Sequence, residues 1–166
     1  MRRYLVVANQ TLGSQRLRDR IQAAMTEEPS HFHLVVPASH PSGAWSEGEA
    51  RALAGRRLER ALVELRELGA DVTGEVGDAS PVRAVSDVLM EEQYDEIILS
   101  TLPAGPSRWL RQDDVHRIQR TFARRLRRGG PRKALFSRSS RLSGRGAFSS
   151  SVSTDGASAQ FRRRAH

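Results

Sequence analysis

The side chains of this sequence that can do chemistry are hydroxyls, imidazoles and guanidiniums, because the 166 residues include no cysteine. Thiolate zinc sites, disulfides and thiol nucleophiles are thereby excluded. Ser14 and Ser80 lack the Gly-x-Ser-x-Gly elbow that exposes a hydrolase nucleophile, and each fits a helix cap better. His31 and His33 stand two apart at the start of an apolar run, a spacing that puts two imidazoles on one face of a strand. No third ligand is in view, so an exposed strand end is the preferred reading. His116 follows Asp113 on a charged segment and reads as a solvated helix surface. What remains is a set of groups suited to holding an anion without reacting with it. Ser100 and Thr101 offer hydroxyls and Arg108 a planar guanidinium. The expectation is a protein that is not an enzyme and binds no metal.

Elements that would position such a set are legible in the hydropathy. Tyr4 to Ala8 is an unbroken apolar run, as for a central parallel strand buried on both faces. Leu17, Ile21, Ala24 and Met25 share a helical face after the candidate cap Ser14. Phe32 to Val36 is a second run, closed by Pro37. Ser46-Glu47-Gly48-Glu49 has the form of a capping box, and the apolar residues from Ala50 to Leu68 recur at threes and fours up to the stop Gly69. Val72, Gly74 and Val76 alternate with polar residues, which suits an edge strand. Ser80-Pro81 opens a helix bearing Val82, Val85, Val88 and Leu89, and Ile97 to Leu99 is a fourth strand. Asp113 reads as the N-cap of a last helix carrying Val115, Ile118 and Phe122, with Leu126 continuing the spacing toward the stop Gly129-Gly130-Pro131.

Strands alternating with helices predict a doubly wound α/β fold with a parallel sheet, whose ligand crevice lies beyond the carboxyl ends of the strands where their order reverses. That edge holds Asn9, Gln10 and Thr11, then Pro37 to His40, Gly77 to Ser80, and Ser100 to Arg108.

The formal charge of +8 divides unevenly. Residues 1–123 carry −3 and residues 124–166 carry +11. Lys133 is the only lysine among 27 basic residues, a bias that G+C-rich coding produces without selection for binding. From Pro131 onward the chain is mostly Ser, Arg, Gly and Ala, too poor in apolar groups to offset ordering entropy. The reading is an α/β domain over 1–122 and a disordered basic tail over 123–166. No membrane-length apolar run or secretory leader is present, so a cytoplasmic protein without a membrane partner is expected. The tail supports only nonspecific, salt-sensitive contact with nucleic acid. Trp109, between Arg108 and Arg111, suits stacking on a base or covering the sheet edge.

The short first strand, the long second helix, Gly77-Asp78-x-x-Pro81 and Tyr94-Asp95-Glu96-Ile97-Ile98-Leu99-Ser100 occur in an order that resembles the universal stress proteins over residues 3 to about 122. The resemblance implies a five-stranded parallel sheet, dimerisation through the last strand and, in one branch, an adenine nucleotide such as ATP in the crevice. It places Asn9 on the adenine side, Val36 and Pro37 beside the base, and Gly77, Ser100, Thr101 and Gly105 near the ligand. The chain departs from the pattern in two places. Arg111-Gln112 stands where a second Gly-Ser of the phosphate loop belongs, and after Phe122 no apolar fifth strand follows. The fifth strand is thus read as missing or replaced, which puts the homodimer in question, and a changed reading frame would explain the tail. An anion site could still use Ser100, Thr101, Arg108 and the amides opening the Asp113 helix, although Asp113 and Asp114 oppose a phosphate there. Two functions follow: a non-enzymatic, stress-related module that binds a small anionic ligand or a protein partner, and a nucleic-acid-associated protein acting through its tail.

Overall fold

The computed structural model describes residues 1–39, 46–100, 112–126 and 136–138. Its elements alternate: β1 (Arg2–Ala8), α1 (Gln15–Glu27), β2 (Ser30–Pro37), α2 (Glu47–Glu67), β3 (Asp71–Gly77), α3 (Pro81–Glu91), β4 (Glu96–Ser100), α4 (Gln112–Leu126) and β5 (Phe136–Arg138). All strand pairs are parallel, in the order β3-β2-β1-β4-β5. The order reverses between β1 and β4, which defines the crevice expected of a doubly wound, Rossmann-like sheet.

Alternation along the strands divides the core in two. Tyr4, Val6 and Ala8 of β1 pack with Phe32, Leu34 and Val36 of β2 under Leu17, Ile21 and Ala24 of α1 and Ala54, Leu58, Ala61 and Leu65 of α2. Leu5, Val7, Val35, Ile97 and Leu99 face the other way, against Ala84, Val85, Val88 and Leu89 of α3 and Val115 and Ile118 of α4. β1 is therefore buried on both sides, as its unbroken apolar run requires. β3, at the edge, alternates exposed and covered residues.

The helix ends follow their local chemistry. Ser14 accepts from the Leu17 amide, and Ser46 and Glu49 form the reciprocal capping box. Gly69 takes φ 83°, and the bonds Gly69 N–H to Arg66 O and Ala70 N–H to Leu65 O close a Schellman turn that only a residue tolerant of positive φ accommodates at low cost. Two expected caps differ. Ser80 occupies the N-cap position of α3 but its hydroxyl makes no cap bond; instead its amide donates to Asp78 Oδ1 at 2.7 Å, an Asx turn. Asp113 lies inside the first turn of α4, which begins at Gln112.

Of the two expectations for the fifth strand, missing or replaced, the first is corrected. Ile97, Ile98 and Leu99 pair with Phe136, Ser137 and Arg138, so the sheet takes its last strand from the segment that composition assigned to the tail. Three residues with one large apolar side chain give no periodicity to read; backbone pairing along the free edge of β4 is the interaction that forms the strand. α4 runs past 122 to Leu126, the residue that continues its apolar spacing.

Candidate functional site at the carboxyl edge of the sheet

At the order reversal, the polar side chains chiefly brace the protein. Asn9, 3% exposed, follows β1 directly. Its Nδ2 donates to Pro37 O and to Ser39 Oγ, each at 2.9 Å, and its Oδ1 accepts from Arg57 of α2. One side chain thus ties the ends of β1 and β2 to a helix, with both N–H groups and the oxygen already used. Thr11 Oγ1 donates to Ser100 O at 2.7 Å, tying the turn after β1 to the end of β4. Pro37 is paired in register with Gly77, whose carbonyl accepts from the Ala38 amide.

The residues assigned to this edge separate on inspection. Asn9, Thr11, Pro37 and Ser100 come together. Gln10 is exposed beside them. Val36 is fully buried in the core beneath α1 and α2. Gly77 serves packing: a Cβ there would lie 2.6 Å from that of Ala84 on α3. Thr101, Gly105, Arg108 and Trp109 fall outside the described residues.

Two features of this edge suit an anion. The Ser100 hydroxyl is buried and has no hydrogen-bond partner among the described residues. Arg57 is partly buried, and burial holds its pKa below the ordinary guanidinium value while leaving it charged. Its hydrogen bond goes to the neutral Asn9, and no carboxylate pairs with it among the described residues. A partly desolvated cation without a counter-ion is costly in isolation and favours an incoming anion. Arg57 was not singled out by the sequence reading, yet the signal is there. It lies three residues after Ala54 and four before Ala61, on the flank of the buried stripe of α2.

Elsewhere, an open cavity on α4 is lined by Asp113, His116, Arg117, Gln119 and Arg120, all from one helix flank, and His116 is exposed there. At the amino end of the sheet, Glu96 is 1% exposed at its side chain, receives Arg20 at 2.7 Å and lies 3.5 Å from Arg2. His31 and His33 do not form a bare strand end. Asp71 Oδ2 lies 3.0 Å from His31 Nδ1, and Thr73 Oγ1 lies 3.1 Å from His31 Nε2 and 2.9 Å from His33 Nδ1. Burial pushes the His33 imidazole below its usual pKa, while Glu75 and Glu92 act in the opposite direction.

Neither the protein-family models nor the curated proteins contain a match to this chain.

Proposed function

We propose that the chain is a non-enzymatic, universal-stress-protein-like module that binds a small anionic ligand of the adenine-nucleotide class at the carboxyl edge between β1 and β4. The observation that carries the reading is Arg57, a partly buried guanidinium hydrogen-bonded to a neutral amide at the point where strand order reverses. The Ser100 hydroxyl, without a partner among the described residues, supplies a further donor. Asn9 holds Arg57 and both strand ends in place, a positioning role in which the base contact expected by analogy gives way to bracing.

Thermal unfolding of the full chain with ATP, ADP, AMP and cyclic AMP tests this. A ligand that binds only the folded state adds about 2.7 kcal/mol at one hundred times its Kd, which raises the Tm by several degrees. Arg57→Ala should remove the shift while the unliganded protein remains folded. Absence of a shift with all four nucleotides would leave a protein-interaction module.

The +11 balance of residues 124–166 favours a second reading, a nucleic-acid-associated protein. Fluorescence anisotropy with a DNA duplex separates the two. Tail-mediated binding falls steeply with salt, weakens on removal of 139–166 and is indifferent to Arg57→Ala.

A further inference from the structure

The face of β2 and β3 toward their amino ends carries a cluster with no part in the carboxyl-edge site. His31 and His33 alternate with core residues along β2, on the same face as Val35, and stand in register with Asp71 and Thr73 of the edge strand. An ionised carboxylate only accepts, so Asp71 fixes the His31 proton on Nδ1 and leaves the Nε2 lone pair directed at Thr73 Oγ1. Thr73 has one hydroxyl proton, donated to His31 Nε2, so the same oxygen accepts from His33 Nδ1–H, and that proton moves to Nε2 when Nδ1 coordinates an ion. Two imidazole nitrogens therefore converge on one point at the protein surface, and one of them is oriented from behind by a carboxylate.

That is the donor set of an open transition-metal site: borderline imidazole ligands, with a carboxylate holding one ring in its tautomer. The charge around it is favourable. Arg3 pairs with Glu92, and Asp71 and Glu75 remain as negative neighbours on β3. The His31 side chain is 18% exposed and that of Asp71 57%, so an ion has access. No group of three or more His, Cys, Asp or Glu side chains is arranged to hold a metal among the described residues. The protein then supplies two ligands, one fewer than the three of an open catalytic zinc site, and solvent completes the shell.

We propose that His31 and His33 form a surface site for a divalent late transition ion of the zinc and copper class, with Asp71 orienting His31. The ion replaces the Thr73 hydroxyl as the group between the two rings.

The wild-type full chain is titrated with Cu2+ and followed by NMR of its five imidazoles. Substoichiometric Cu2+ should broaden His31 and His33 before His40, His116 or His166. Calorimetric titration with Zn2+ should show one site, abolished in His31→Gln and in His33→Gln and weakened about tenfold or more in Asp71→Ala, the usual effect of losing an orienting carboxylate. Broadening that begins at any other histidine overturns the proposal, and so does Zn2+ affinity unchanged in the two glutamine variants. The wild-type broadening pattern decides the matter even if a variant fails to fold.

Discussion

At the scale of single residues, the side chains that matter most are charged groups placed where an apolar pattern hides them. Glu96 sits in a strand that otherwise reads as core, and burial raises its carboxyl above the usual range despite the opposing pull of Arg20 and Arg2. A carboxyl raised in the folded state binds its proton more tightly there than in the unfolded chain. Its contribution to stability is then fully present below the unfolded carboxylate pKa and is lost as pH rises through the folded one. Glu96→Gln removes this dependence, so the stability of wild type relative to the variant should fall as pH rises from the ordinary carboxylate range toward neutrality in denaturant titrations. A constant difference over that range would contradict the assignment. Glu96 and Arg57 escaped the sequence reading for one reason: periodicity reports which positions are covered, and a charge within a covered stripe passes as its polar neighbour. Asn9, Thr11 and Ser100 were legible because the ends of strands in this topology are functional positions by geometry. Which of these edge residues bond to one another, across long stretches of sequence, was not.

At the scale of elements, strands and helices were read from their apolar spacing wherever a run was long enough to show a period. β3 illustrates how far that reading goes. Its alternation marked an edge strand, but the demand for Gly74 comes from contacts no local pattern contains: a Cβ there would lie 2.7 Å from Leu34 O and 2.8 Å from Leu58 Cδ1. Backbone cannot yield as a flexible side chain does, so Gly74→Ala should cost about 1–3 kcal/mol. Gly55, within α2, has open space where a Cβ would stand, with nothing within 4 Å, and Gly55→Ala should stabilise by about 0.5–1 kcal/mol through helix propensity. Urea unfolding of both variants checks the pair, which must move in opposite directions. β5 lay beyond reach because three residues carry no period.

At the scale of the whole molecule, the boundary drawn at Phe122 from composition separates a −3 segment from a +11 segment, while the sheet draws on both. A chain ending at residue 126 lacks β5 and leaves the edge of β4 unpaired; one ending at 138 retains it. The shorter chain should have a lower Tm and self-associate in size-exclusion chromatography, whereas the longer should match the full chain in both. Equal behaviour of the two truncations would show that β5 adds nothing. Among the described residues no helix is long and apolar enough to cross a membrane.

The three-residue pairing also has a consequence in time. Glu96–Ser100 emerges during synthesis well before Phe136, so Ile97-Ile98-Leu99 can dock on β1 with its outer edge still open. A contact closing at such sequence separation forms late, because chain entropy opposes it until the rest of the sheet exists. Over that interval the nascent chain exposes an apolar strand edge of the kind that recruits other chains. Its yield of native protein thus depends on how soon three residues of backbone arrive to cover it.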